Sequence, residues 1–154
     1  MIYTWAQFQN DTAELAQTIR ASGKQYWNVY GVPRGGVPLA LALSHKLKVP
    51  MVSIEDADIN TLVCDDVVHS GATRNQFIIH DFVSLHYHPT SKYYPTHFVH
   101  PTNEWIEYPW EQNKQTEGED IVRRMLEFIG KSPGRLVPQR ITEHLFGLLK
   151  EVIT

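Results

Sequence analysis

TLVCDDVVHSGAT, residues 61–73, is the stretch that decides the fold. Its apolar start predicts a buried strand, and two adjacent carboxylates, Asp65 and Asp66, follow it. The turn after them is made of small and hydroxyl-bearing residues. Its backbone N–H groups, the hydroxyls of Ser70 and Thr73 and the N-terminus of a following helix can bind a monoester phosphate. The carboxylates can accept hydrogen bonds from vicinal sugar hydroxyls, so the stretch is typical of a phosphate-and-ribose site. The alternative is a strand-to-helix turn in which Asp and Ser serve only as capping residues.

Two further segments are rich in residues that ligands use. Upstream, WNVYGVPRGGVP (residues 27–38) predicts a strand, a Gly pair and a helix with Pro38 in its first turn. Glycines let the backbone approach a ligand closely, although PRGG alone is also compatible with an ordinary turn. Downstream, NEWIEYPW (residues 103–110) can line an aromatic pocket or be plain core.

Taken together, these segments resemble the type I phosphoribosyltransferases, and the last two resemble the xanthine-guanine branch of that family. In the family, the two acids hold the ribose hydroxyls of phosphoribosyl pyrophosphate (PRPP), the small-residue loop holds its 5-phosphate and the RGG loop embraces the pyrophosphate. The resemblance assigns the ribose to Asp65 and Asp66, the 5-phosphate to Ser70, Gly71, Ala72 and Thr73, the pyrophosphate to Arg34, Gly35 and Gly36, and the base to Trp105 and Ile106.

The chain departs from the family pattern at two positions near the base. His69 stands where many members carry an acid, and an imidazole can exchange protons near neutral pH, so His69 is the catalytic candidate if the chain is an enzyme. His88 takes the place of a family lysine that meets the purine 6-substituent. The resemblance therefore leaves the choice of base open.

A third departure is an absence. The family inserts a long flexible loop that folds over PRPP between the second strand and the strand with the acid pair. Here the predicted strand 51–54 reaches Thr61 through only the six residues 55–60. These residues predict a turn rather than a lid, and three of them are acids that would repel a pyrophosphate.

The wider pattern predicts an α/β fold with a mostly parallel sheet of about five strands flanked by helices. Strands are expected near 26–31, 51–54, 61–64, 82–87 and 97–99, with helices near 37–47 and 72–80. An N-terminal helix is expected to begin around 10–14, with Asp11 as the candidate cap. Ligands of such sheets lie beyond the carboxyl ends of the strands, where both glycine-bearing motifs fall.

After a nucleotide-binding domain at 1–112, residues 113–154 predict an appended helical hairpin. Its residues 119–135 and 138–141 resemble the N-terminal helical segment of GTP cyclohydrolase I, without a zinc ligand or catalytic residue of that enzyme. The resemblance implies a docking or dimerisation element, and a hairpin that merely caps the sheet is the alternative. We expect a homo-oligomer, and the compact chain with this tail would suit a viral gene.

Composition limits the possible partners. The 154 residues carry a net charge of -3 and a pI near 6.2, which argues against a general nucleic-acid binder. No apolar run is long enough for a membrane span, so we expect a protein of the cytosol, its own or its host's. The lone cysteine, Cys64, lies in an apolar strand and is interpreted as a core thiol. A histidine metal site is disfavoured because no acid or cysteine completes it at a suitable spacing, and Mg²⁺ is expected only with a pyrophosphate ligand.

Two function classes remain. The first is a protein that binds a purine nucleotide or a phosphoribosyl compound without turnover, as a sensor, carrier or sequestering protein. The second is a purine phosphoribosyltransferase that transfers the phosphoribosyl group from PRPP to a 6-oxopurine. The short link 55–60 and the changes at His69 and His88 favour the first class.

Overall fold

A computed structural model describes residues 1–111 of the chain. Four strands form one sheet: β1 (Asn28–Gly31), β2 (Thr61–Val68), β3 (Phe82–Tyr87) and β4 (His97–Pro101). Three α-helices accompany them: α1 (Trp5–Ala21), α2 (Gly36–Leu47) and α3 (Ala72–Gln76). A single 3₁₀ turn, Ile54–Asp56, precedes β2.

The sheet is parallel throughout, in the order β1-β2-β3-β4. The apolar first half of β2 is completely buried, and so are residues 82–86 of β3, as expected for strands that are covered on both faces. Helices α1 and α2 contribute to the main core, while Phe77, which follows α3, packs on a smaller cluster around Val63 and Phe82. The predicted α/β class with a parallel sheet is confirmed.

The acid pair lies deeper in the sheet than the sequence suggested. Strand β2 was expected to end at residue 64, but it continues to Val68, so Asp65 and Asp66 are part of the strand. Pairing with β3 extends to Val68↔Tyr87, which keeps both acids on a rigid element. Cys64 is fully buried beside them, which confirms a core thiol.

The predicted strand 51–54 is wrong. Met51 makes only an isolated parallel bridge to Val29, after which Ile54 already begins the 3₁₀ turn. The sheet described within residues 1–111 therefore has four strands instead of about five. The helix predicted over 72–80 is also shorter, because it ends at Gln76.

The start of the first helix was placed too late. Helix α1 begins at Trp5, because the Thr4 side chain accepts a hydrogen bond from Gln7 N while the Gln7 side chain accepts one from Thr4 N, which is a capping box. Asp11 is a buried residue in the middle of the helix. Its Oδ2 accepts a hydrogen bond from Tyr3 OH at 2.5 Å and lies 3.1 Å from Nε2 of His100.

The predicted helical hairpin at 113–154, and with it the domain boundary and the cyclohydrolase-like segment, lies outside the described residues. Within residues 1–111, no helix combines the length and the apolar content that a bilayer span requires.

Candidate functional site

The carboxyl half of β2 holds the two acids by local hydrogen bonds. Asp65 Oδ1 accepts from the backbone N–H of Asp66 at 3.0 Å, and Asp66 Oδ1 accepts from that of Val67 at 2.8 Å. Asp66 is only 8% exposed, whereas Asp65 is partly exposed. Each carboxylate is therefore fixed in direction and keeps acceptor capacity for a ligand.

Burial makes the ionised form of both acids unfavourable. It raises the pKa of Asp65, and the neighbouring charge of Asp66 raises it further. Burial likewise raises the pKa of Asp66, with a second contribution from the charge of Glu111. A ligand that donates hydroxyl hydrogen bonds would relieve part of this cost, which is typical of a binding site.

The loop after β2 forms a small cavity of about 80 Å³. Gly71 has a φ of 87°, and a Cβ there would meet Ser91 Oγ and Tyr93 N at 2.9 Å, so the loop requires glycine at this position. Ser70 is exposed, and its hydroxyl accepts a hydrogen bond from Ala72 N at 3.3 Å. We call this the phosphate-side cavity; the residues that line it are Asp65, Val67, Val68, His69, Ser70, Gly71, Ala72, Thr73 and Arg74.

Arg74 is a lining residue that the sequence analysis missed. Its guanidinium donates to the carbonyls of Phe77 and Tyr94, at 2.8 and 3.2 Å, and lies over the Phe82 ring. This anchoring places a fixed positive charge beside the loop. This charge matters because α3 has only five residues, so its helix dipole attracts a phosphate less strongly than the sequence analysis expected. The only hint in the sequence was the position of a cation directly after the loop.

The PRGG loop packs directly on the acid pair. Val32 N donates to Cys64 O at 2.9 Å, and Gly36 N donates to Val32 O at 2.9 Å. A Cβ on Gly35 would overlap the Asp66 carboxylate, and one on Gly36 would overlap the carbonyl of Cys64. Both glycines are therefore required for this approach to the chain's own strand β2, while their predicted contact with a pyrophosphate stays a prediction.

Arg34 lies at the tip of the same loop. Its side chain is exposed, and the peptide bond between Pro33 and Arg34 is cis. Its carbonyl accepts a hydrogen bond from Val37 N at 3.2 Å, at the start of α2. The structure thus places the predicted pyrophosphate-binding residues next to the predicted ribose-binding acids.

A larger cavity of about 190 Å³ lies beside Asp66. We call it the base-side cavity; the residues that line it are Asp66, Val67, His69, His88, Glu104, Trp105, Ile106, Tyr108 and Glu111. The rings of His69 and His88 are 4.1 Å apart. Trp105 is 80% exposed at the cavity, whereas Ile106 is 6% exposed and belongs mainly to the core. All the predicted base-contacting residues therefore line one cavity.

Two aromatic residues of the 103–110 segment hold Asp66 in place, a role that the sequence did not reveal. Tyr108 OH donates to the backbone O of Asp66 at 3.0 Å, and Trp110 Nε1 donates to its Oδ2 at 3.4 Å. The two rings are stacked, with centroids 4.9 Å apart. The tyrosine hydroxyl also lies 2.9 Å from Nδ1 of the buried His86. The signal available was the aromatic content of this segment.

Residues 1–3 make backbone hydrogen bonds to the 103–110 segment. Glu107 N donates to Met1 O at 2.9 Å, and Tyr3 N donates to Glu107 O at 3.0 Å, around a parallel bridge between Ile2 and Glu107. The segment that lines the base-side cavity is therefore held to the N-terminus by a single parallel bridge, which the sequence analysis did not anticipate.

The link 55–60, for which the sequence predicts a turn rather than a lid, is a compact turn. Asp58 N donates to Thr61 Oγ1 and Asn60 N donates to Asp58 Oδ1, both at 2.8 Å. Burial raises the pKa of Tyr30, and the charge of Glu55, on this link, and then that of Asp65 raise it further. The link is therefore an ordered acidic turn near the ribose acids.

Three of the histidines that invited a metal interpretation have other hydrogen-bond partners. His86 is paired with Tyr108, His97 with Tyr26 and His100 with Asp11. Within residues 1–111, no group of three or more His, Cys, Asp or Glu side chains is arranged to hold a metal ion.

Similar solved structures identify the architecture. A purine phosphoribosyltransferase from Pyrococcus horikoshii matches with a TM-score of 0.65 and 24% identity, over 76% of this chain and 97% of that chain. The chain has the type I phosphoribosyltransferase fold. The xanthine-guanine-hypoxanthine phosphoribosyltransferase of Helicobacter pylori matches with a TM-score of 0.63 and 23% identity, over 72% of this chain and 92% of that chain.

A third similar structure is a hypothetical protein from Neisseria gonorrhoeae with bound ppGpp. It matches with a TM-score of 0.56 and 20% identity, over 82% of this chain and 94% of that chain. At these identities the similarity establishes the fold alone. Comparison of the sequence with protein-family models and with curated proteins finds no match.

Proposed function

We propose that the chain binds a purine nucleotide or a phosphoribosyl compound without turning it over, as a sensor, carrier or sequestering protein. The observation that carries this proposal is the adjacency of the two cavities, which share Val67 and His69 as lining residues. Asp65 lines the phosphate-side cavity and Asp66 the base-side cavity. A ligand with a phosphate, a sugar and a base in that order matches this arrangement.

Each part of the ligand has a chemical partner. The loop 70–73 and Arg74 favour the phosphate, since they combine hydroxyls, backbone N–H groups and a positive charge. Asp65 and Asp66 accept the ribose hydroxyls, and the His88 and Trp105 rings contact the base. The fold of the Neisseria gonorrhoeae protein with bound ppGpp is similar, which supports a purine nucleotide as the ligand class.

The link 55–60 favours binding over turnover. A lid excludes water and completes the charge around the leaving pyrophosphate, and an ordered acidic turn does neither. The 5-phosphate and ribose contacts lie on β2 and its loop, so they do not depend on a lid. Binding is retained in this proposal while the chemical step is lost.

The alternative is a purine phosphoribosyltransferase that uses PRPP and a 6-oxopurine. The observation in its favour is the position of His69 on both cavities, between the base and the phosphoribosyl group, where an imidazole can exchange a proton. In either case, a Mg²⁺ ion would arrive with pyrophosphate oxygens, and Asp65 and Asp66 offer the carboxylate oxygens that suit it. A cytosolic location and a homo-oligomeric state stay predictions.

Calorimetry and a turnover assay on the full chain test the proposal. We expect ribose 5-phosphate and purine nucleoside monophosphates to bind, with the nucleotides at micromolar affinity or tighter. We expect pyrophosphate release from PRPP to stay near background with xanthine, guanine, hypoxanthine or adenine. Turnover at about one per second, the ordinary enzyme range, would favour the transferase instead. Absence of binding for every compound would refute both functions.

A further inference from the structure

The two cavities differ in charge. Arg74 lines the phosphate-side cavity, whereas three carboxylates, Asp66, Glu104 and Glu111, line the base-side cavity. Among the described residues, no lysine or arginine lines the base-side cavity, although the N-terminal ammonium of Met1 lies 3.8 Å from Glu104 Oε2 and offsets part of the negative charge. This cavity therefore opposes a negatively charged group and favours a ligand edge that carries hydrogen-bond donors.

Hydrogen bonding points in the same direction. Asp66 Oδ2 accepts a long bond from Trp110 Nε1, at 3.4 Å, and Glu111 Oε2 accepts from Tyr108 N at 3.3 Å. An ionised carboxylate is purely an acceptor with about four lone-pair sites, so both groups can accept further bonds.

His88 adds a nearby acceptor. Partial burial lowers its pKa, and the adjacent His69 lowers it further, so the imidazole is neutral at physiological pH. A neutral imidazole offers one N–H and one unprotonated nitrogen. A lysine at this position would offer donors alone. The base-side cavity thus carries more acceptors than donors.

We infer that the base-side cavity selects purines with exocyclic amino groups over purines that present only carbonyl oxygens. An amino group donates to the carboxylates and to the unprotonated nitrogen of His88. A carbonyl at the same place would set acceptor against acceptor and lose a ligand hydrogen bond. A base that ionises to an anion, such as xanthine, faces the additional repulsion of the three acids. This inference rests on the proposed nucleotide binding, and it holds whether or not the ligand is turned over.

Calorimetric titration of the full chain with a matched series of ribonucleoside 5′-monophosphates tests this selectivity. The bases are adenine, 2,6-diaminopurine, guanine, hypoxanthine and xanthine, and ribose 5-phosphate reports the shared part of the site. We expect the adenine and diaminopurine nucleotides to bind about tenfold or more tightly than the hypoxanthine nucleotide, with the xanthine nucleotide weakest. Equal affinities, or tightest binding of the xanthine nucleotide, would overturn the selectivity and leave the proposed nucleotide binding intact. Failure of ribose 5-phosphate and of every nucleotide to bind would overturn both.

Two variants connect the selectivity to the cavity. His88→Lys exchanges the acceptor for a cationic donor, so the preference for adenine over hypoxanthine should vanish or reverse. Glu104→Gln removes a carboxylate charge and leaves the ammonium of Met1, now 3.8 Å from Glu104 Oε2, without that partner, so we expect the xanthine nucleotide to gain affinity relative to the adenine nucleotide. Glu14→Gln, on the exposed face of α1, is the matched control and should leave every ratio unchanged. If the ratios stay the same in both cavity variants, the inference is wrong.

Discussion

Replacement of Asp65 by asparagine should weaken ligand binding and stabilise the fold at the same time. Asp65 Oδ1 accepts a hydrogen bond from Asp66 N at 3.0 Å, and an amide oxygen can accept the same bond. The ionised carboxylate, however, is held in a buried place next to Asp66, and both burial and that neighbour raise its pKa. The folded protein carries a cost for this charge that an amide avoids.

The sign of the stability effect follows from proton linkage. From the ordinary pKa of 3.8 up to the raised value in the folded state, the folded chain binds more protons than the unfolded chain. The free energy of unfolding of the unmodified protein therefore falls as pH rises through this window. Each tenfold change in the ionisation constant is worth about 1.4 kcal/mol, so Asp65→Asn should gain at least about 1–2 kcal/mol at neutral pH and flatten the decline.

The binding effect has the opposite sign. A hydrogen bond to a charged acceptor contributes about 1.5–3 kcal/mol and a neutral one about 0.5–1.5 kcal/mol. Asp65 is a charged acceptor only above its raised pKa of about 8, so its loss should weaken ribose 5-phosphate binding roughly tenfold at mildly alkaline pH. Calorimetry measures this affinity, and urea unfolding at mildly acidic and mildly alkaline pH measures the stability.

Glu14→Gln is the control, because Glu14 is exposed on α1 and lines neither cavity. It should change the free energy of unfolding by no more than about 0.5 kcal/mol and leave the affinity unchanged. An Asp65→Asn protein that binds ribose 5-phosphate as well as the unmodified chain would refute the ribose assignment. A less stable Asp65→Asn protein would refute the argument from buried charge.

Two further substitutions test the ends of the site. Trp105→Ala should weaken nucleotide binding at least tenfold but hardly change the affinity for ribose 5-phosphate. It should also have little effect on stability, since the residue is 80% exposed. Equal losses of affinity for both ligands in calorimetry would contradict the place of Trp105 beside the base. Gly71→Ala should abolish measurable ribose 5-phosphate binding, because a Cβ at φ 87° meets Ser91 and Tyr93. Gly23→Ala is the matched control, because Gly23 has a φ of 74° and an added Cβ would meet nothing within 4 Å. It should cost only about 1 kcal/mol of stability. Comparable losses of ribose 5-phosphate binding in the two variants would show that the effect is not local to the loop 70–73.

The sheet and the cluster of motifs were predictable because their signals are local. Apolar runs such as 61–64 favour buried parallel strands, and the carboxyl ends of parallel strands meet at one edge. Glycine at positions 35, 36 and 71 reflects close backbone approach or a positive φ, which no other residue allows there. The sequence could therefore indicate which segments meet.

The remaining features depend on contacts between distant residues. Thr4-x-x-Gln7 and Asp11-x-x-Glu14 have the same capping spacing, and only the burial of Asp11 against Tyr3 and His100 decides between them. The hydrogen bond from Tyr108 to Asp66 spans 42 residues. No periodicity or local propensity encodes such pairs. The sequence analysis therefore missed the residue at which α1 begins and the hydrogen bonds that hold Asp66.

The charges near Asp66 explain why the short segment 55–60 accompanies the proposed lack of turnover. Transfer from PRPP develops charge on the leaving pyrophosphate, and catalysis requires groups that stabilise that charge more in the transition state than in the ground state. On the PRGG side, Gly35 brings backbone against the Asp66 carboxylate, and Arg34 is the cation of that loop. The link 55–60 itself supplies three acids and no cation to meet this developing charge, whereas a bound 5-phosphate would lie beside Arg74. This is the physical basis on which the proposed function combines nucleotide binding with a lack of turnover.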